Sequence, residues 1–139
     1  MSISNNKDHA GYKNDDAHWD ELFNELKNAI KRSPDNNAAR KCLADVLFDN
    51  VCKAGKENNP ARRDMLMQEL RVLADAFPDD ATVRDCLASG LNNVIAYAEE
   101  DYDDIAHWND FLKELRDLHD RYPNDKIFRT IVERASELL

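Results

Sequence analysis

Apolar residues recur along most of the chain at spacings of three and four, the period of a helix with one buried face. Trp19, Leu22, Phe23, Leu26, Ala29 and Ile30 form the first such stripe. Ala39, Cys42, Leu43, Val46, Leu47 and Val51 form the second. Leu66, Leu70, Leu73, Ala74 and Phe77 form a third, and Val83, Cys86, Leu87, Leu91, Val94 and Ile95 a fourth. Trp108, Phe111, Leu112, Leu115 and Leu118 mark a fifth, and a last run follows from about 126 to 138. The predicted helices cover about 17–31, 38–53, 61–76, 81–98, 105–121 and 126–138. Val, Ile and Thr are too scattered for strands. Gly55 with the 56–60 loop is expected to end the second helix. Gly90 falls in the middle of the fourth, where glycine costs about 1 kcal/mol against alanine. A close helix–helix approach is the expected reason for it.

Three stretches punctuate this pattern in related form. Ser33-Pro34-Asp35-Asn36, Phe77-Pro78-Asp79-Asp80 and Tyr122-Pro123-Asn124-Asp125 each stop one run and start the next, with the prolines 44 and 45 residues apart. Proline lacks the N–H that a helix needs and pushes the residue before it out of the α region. The Asp and Asn that follow can accept hydrogen bonds from the free N–H groups of the next helix and suit its positive end. A period of this length is the mark of a helical repeat array. The repeats span about 17–60, 61–104 and 105–139. In register, Ala17, Ala61 and Ala106 match, as do Glu25-Leu26, Glu69-Leu70 and Glu114-Leu115, each followed by Lys or Arg. An Arg lies six residues after each proline: Arg40, Arg84 and Arg129. A row of anion-binding guanidiniums is one reading. Local pairing of Asp80 with Arg84 and of Asp125 with Arg129, four residues apart, is the expected one.

Residues 1–16 are polar and aperiodic, which predicts a disordered tail ahead of a single domain over 17–139. The chain has 139 residues, 34% of them charged, and a formal net charge of -9. That balance argues against nucleic acid and anionic membrane as partners, because phosphate contacts need clustered Lys and Arg. A charged partner is expected to be basic. No apolar run approaches the roughly 18 residues of a membrane span, and no signal-peptide core opens the chain, so the expectation is a cytoplasmic protein. Cys42, Cys52 and Cys86 form no C-x-x-C pair. Cys42 and Cys86 share one repeat position on apolar stripes, so both are expected to be buried and unpaired.

Catalytic and metal readings fare poorly. The acidic run Glu99-Glu100-Asp101-Tyr102-Asp103-Asp104 lacks the glycine and distal Glu of a calcium loop and reads as solvated. His18-Trp19 and His107-Trp108 lie about 90 residues apart with no second ligand one turn on, so each reads as a Trp packing at a helix start beside an exposed His. No Ser/His/Asp set and no glycine-rich phosphate loop occurs. No enzyme, catalytic residue, cofactor or metal is expected.

The pattern at Pro34 to Leu47, with Leu43-Ala44 and Leu47, and its counterpart Leu87-Ala88 and Leu91, resembles the junction between tetratricopeptide repeats. Val132-Glu133 with Ser136 departs from it, as do Leu22, Leu66 and Phe111 where a small residue is usual. The period of about 44 is longer than that family's 34, and HEAT-like repeats share the longer spacing. The resemblance implies an all-α fold of three antiparallel helix pairs stacked as a short right-handed α–α superhelix, TPR-like, whose post-proline helices line a groove for a protein or peptide partner. The family's carboxylate clamp uses Lys and Asn, whereas Lys41 here is followed one turn later by Asp45. With the apolar stripes removed, that face carries Lys41, Asp45, Phe48 and Asp49, then Asp85, Ser89, Asn92 and Asn93, then Thr130 and Arg134. Phe48 is an aromatic in a polar surround, a common interface anchor. Asn92 and Asn93 can donate and accept, as a peptide backbone requires. An adaptor or interaction module is thus the first functional expectation. A homo-oligomeric structural protein, such as a homodimer closing over the terminal helix and Leu138-Leu139, is the alternative.

Overall fold

The computed structural model describes residues 15–98 and 105–137, and side chains within 16–96 and 110–137. Residues 1–14 of the polar tail, the acidic run 99–104, the side chains of His107 and Trp108, and Leu138-Leu139 lie outside the described residues, while Asp15 and Asp16, assigned to the tail from sequence, open the first helix. Six α-helices and no strand occur among the described residues: α1 (Asp15–Arg32), α2 (Asn37–Lys56), α3 (Pro60–Ala76), α4 (Ala81–Ala98), α5 (Ile105–Arg121) and α6 (Lys126–Glu137). The all-α expectation holds, with helix packing of the kind a helical repeat produces. Two compact units divide the chain at Leu43 and Ala44.

The three proline turns close with the same hydrogen bonds. Ser33, Phe77 and Tyr122 donate back to Ala29, Leu73 and Leu118, ending each helix. The carbonyls of Ser33, Phe77 and Tyr122 then accept from Asn36, Asp80 and Asp125 at 2.9, 3.0 and 3.0 Å, closing a four-residue turn. The side chain two residues after the proline caps the next helix. Asn36 accepts from the N–H groups of Ala38 and Ala39, Asp80 from Thr82 and Val83, and Asp125 from Ile127. Such caps contribute about 1 kcal/mol each.

Gly55 does not end α2. It is buried inside the helix, and Asn58, at φ 54°, takes the left-handed position instead. Asn59 N–H donates to Ala54 and Asn58 N–H to Gly55, the paired bonds of a Schellman ending. Asn59 then caps α3 by accepting from Arg62, with Pro60 opening the helix.

In the first unit, residues 1–43, Trp19 stacks on Phe23 at 6.5 Å and the exposed His18 meets its ring edge, as the helix-start reading requires. Phe23, Ile30, Ala39 and Leu43 are buried. Arg40 bonds back to the Pro34 carbonyl and to Asn37. Cys42 is exposed, which overturns the expectation that it is buried.

In the second unit, residues 44–139, α4 packs on α3 and on α6, and α6 also packs on α5. Val83, Leu87, Ala88, Leu91 and Ile95 of α4 are among the buried core, with Leu66, Met67 and Leu70 of α3, Leu115 of α5 and Phe128 of α6. At Gly90 the side chains of α3 come close against the backbone of α4. A Cβ there would lie 2.7 Å from Met67 Sδ and 3.6 Å from Leu70 Cδ1. The expected close approach is therefore present, and the helix tolerates the glycine because its neighbour fills the space.

Arg84 does not pair with Asp80, whose carboxylate is turned to the helix N-terminus as a cap. Its Nη1 donates to the Pro78 carbonyl at 3.1 Å, and its Nε lies 3.6 Å from Asp125 Oδ2, one repeat later. The guanidinium sits 4.6 Å from the centre of the Tyr122 ring, an attractive arrangement. Tyr122 Oη donates to the same Pro78 carbonyl, and its ring stacks on the buried Phe128. The second turn is thereby tied to the third.

Gly90→Ala should gain about 1 kcal/mol in helix propensity and lose about 1–3 kcal/mol by overpacking, a net loss. In a Met67→Ala background the obstructing sulfur is gone, and the same substitution should stabilise. Denaturant unfolding of the four proteins measures this coupling. An equal loss in both backgrounds would show that Met67 is not the obstacle.

Candidate functional site: the post-proline helix face

The post-proline helices of the second unit are α2 from Ala44 onward, α4 and α6. Side chains join them in sequence. Cys86 Sγ on α4 donates to Asp45 Oδ1 on α2 at 3.4 Å, and Asn93 Nδ2 lies 3.7 Å from Cys52 Sγ. Arg134 Nη1 on α6 donates to Asn92 Oδ1 on α4 at 2.9 Å. Cys86 and Asn93 on α4 are seven residues apart, as are Asp45 and Cys52 on α2, so the two α2–α4 contacts recur after two turns along one edge of each helix, while Asn92, next to Asn93, meets α6.

This arrangement sorts the residues anticipated from the pattern. Asp45, Asp49, Asp85 and Thr130 are exposed, and Thr130 Oγ1 donates back to the Lys126 carbonyl. Phe48, Ser89, Asn92, Asn93 and Arg134 are half-buried. Lys41 is exposed and belongs to the first unit. Asn92 is engaged by Arg134. Asn93 has its amide nitrogen against a thiol and its Oδ1 enclosed without a hydrogen-bond partner. Both asparagines thus join neighbouring helices, Asn92 through its Oδ1 and Asn93 through its Nδ2. Asn50, buried on α2, was missed by the sequence pattern; its amide donates to the Val46 carbonyl one turn back.

The exposed carboxylates act together. Burial pushes the Cys86 thiol up to about 12, and its bond to Asp45, with the charges of Asp45, Asp85 and Asp49, adds to the rise. Cys52 is raised by burial and by Asp49, with Lys56 opposing. The Asp85 carboxyl is raised by partial burial and by Asp125, with Arg84 opposing. Asp45, Asp49 and Asp85 therefore share one negative region. No group of three or more His, Cys, Asp or Glu with metal-binding geometry occurs among the described residues. No helix among them is long and apolar enough to cross a membrane.

The different fates of Cys42 and Cys86 follow from their flanks. Cys86 faces the preceding post-proline helix and meets Asp45 there. Among the described residues no post-proline helix precedes α2, so the matching flank at Cys42 is open. In comparisons with known proteins, the chain matches no family model, no curated sequence and no solved structure. What defines its class is the all-α arrangement of six helices among the described residues, with three equivalent proline turns.

Thiol labelling of the native protein should be fast at Cys42, slower at Cys52 and slowest at Cys86, read by mass spectrometry of digests. Fast labelling of Cys86 would contradict its placement. The raised Cys86 pKa also sets a pH dependence. The unfolded thiol ionises near its ordinary value and the folded one near 12, so the stability from keeping it protonated is complete below the ordinary thiol range. It is lost as pH rises through that range toward about 12. Wild type should lose stability faster than Cys86→Ala over this alkaline window in parallel denaturant titrations.

Proposed function

We propose that the chain is a protein-interaction module, an adaptor whose post-proline helix face receives a Lys/Arg-rich segment of a protein partner. The observation that carries this reading is the gathering of Asp45, Asp49 and Asp85 on one face, close enough together to act on a single thiol. Like charges held together repel one another, and a cationic segment relieves that repulsion as it docks. The formal charge of -9 favours the encounter at a distance. Half-buried Phe48 lies one turn on from Asp45 along α2, where an aliphatic side-chain stem can rest on its ring. Asn92, Asn93 and Arg134 serve as the frame that holds the face, and Lys41 is at its edge in sequence. Helical-repeat proteins present such faces for extended partners.

Fluorescence anisotropy with a Lys/Arg-rich peptide and an Asp/Glu-rich peptide of equal length tests the reading. The basic peptide should bind, more weakly as salt rises. Combining Asp45→Asn, Asp49→Asn and Asp85→Asn should weaken binding about tenfold, ~1.4 kcal/mol. The amide oxygen that Asp45→Asn introduces can still accept from the Cys86 thiol. Lys113→Ala, at an exposed position on α5, should leave affinity unchanged. Equal binding of both peptides, or wild-type affinity in the combined variant, would overturn it.

A further inference from the structure

A second regularity lies on the odd-numbered helices, away from the post-proline face. Nine residues before each turn proline stands a glutamate: Glu25, Glu69 and Glu114. Seven before stands a base: Lys27, Arg71 and Arg116. In the second unit the base of one repeat takes the glutamate of the next. Arg71 on α3 donates through Nη2 to Glu114 Oε1 on α5 at 2.8 Å and through Nε to Oε2, a bidentate pair. The two side chains are 30% and 27% exposed. Four members of the series, Lys27, Glu69, Arg71 and Glu114, are half-buried, whereas Glu25 and Arg116 are exposed. The first repeat thus carries an exposed acceptor, and the last repeat an exposed donor at the position that Arg71 uses.

Other repeat-equivalent positions behave the same way. Arg84, six residues after its proline, reaches Asp125 of the following repeat, while Arg129, its equivalent in the last repeat, is exposed. At the first repeat, Cys42 is exposed where Cys86 is buried. Positions covered by the neighbouring repeat inside the chain are open in the first and last repeats.

We propose that a second copy of this chain docks head to tail, the last repeat of one copy against the first repeat of the next, with Arg116 of one taking Glu25 of the other as Arg71 takes Glu114. The occupant follows from charge and register together: the donor exposed in the last repeat and the acceptor exposed in the first are the two halves of a pair the chain already makes internally. The interface is heterologous, so a copy that docks still offers an exposed donor or acceptor to a third. Asn36 replaces the carboxylate that Arg84 finds in Asp125, so the rung at Arg129 has a neutral acceptor. With that weaker rung and a net charge of -9 on each copy, association is concentration-dependent rather than permanent.

Sedimentation velocity over a concentration series tests this, using wild type, Arg116→Glu and Glu25→Arg. Both substitutions are at exposed positions, and far-UV circular dichroism checks that the variants remain helical. The weight-average mass of wild type should rise with concentration, and each variant alone should stay monomeric, because its changed residue meets a like charge. An equimolar mixture of the two variants should associate again, since the carboxylate introduced by Arg116→Glu then meets the guanidinium introduced by Glu25→Arg. A wild type that stays monomeric throughout the series would overturn the proposal. So would association unchanged in either variant, or loss in both without recovery on mixing.

Discussion

The three proline turns of this protein, one within each repeat, rest on one arrangement of backbone and side chain. The residue before the proline ends a helix with its N–H and closes the turn with its carbonyl. The Asn or Asp two residues later closes the same turn with its N–H and caps the next helix with its side chain. The proline excludes continuation of the first helix, and the cap supplies acceptors that the second would otherwise lack. The turn between the two helices is therefore specified by contacts local in sequence. Arg84 adds the link between turns: one guanidinium touches the Pro78 carbonyl, the Tyr122 ring and the Asp125 carboxylate.

α4 bears the consequences in the second unit. It packs on α3 and α6 and meets α2 through Cys86 and Asn93, so a wide arc of its surface is enclosed. Such a helix needs small residues where neighbours approach, and Ala88 and Gly90 serve there. α5 differs: its buried residues Leu112, Leu115 and Leu118 form a narrow stripe, and its opposite side carries Lys113, Arg116 and Asp117 in solvent. The polar contacts between post-proline helices use thiols and amides rather than strong ion pairs. Their energetic weight is small, since hydrogen bonds of this kind contribute about 1 kcal/mol or less; their effect is to fix which residues stay on the exposed face.

That selection shapes both proposals. Carboxylates that find no cation within their own face remain available to one from outside. The ion-pair series of the odd-numbered helices has the opposite character, because Arg71 finds its complement in the next repeat. A repeat array of finite length necessarily leaves such complements exposed at its first and last units.

Sequence alone determined the helices of the described residues, the position of the three proline turns and most of the buried face, because apolar period and proline turns are local signals. It also pointed to the close approach at Gly90, since a mid-helix glycine has no local reason to be there. Tertiary structure decided what period cannot encode. Cys42 and Cys86 occupy the same register, yet one is exposed and one buried, because burial depends on whether a neighbouring helix lies against that flank. Arg84 has an aspartate four residues before it, yet its partner lies one repeat on, since Asp80 is committed to capping. Gly55 reads as a helix end, yet Asn58 takes that role, because the bonds at Ala54 and Gly55 place the left-handed residue three positions later. Asn92 and Asn93 read as a polar surface, yet they join helices, because hydrophilicity does not reveal which edge of a helix meets its neighbour.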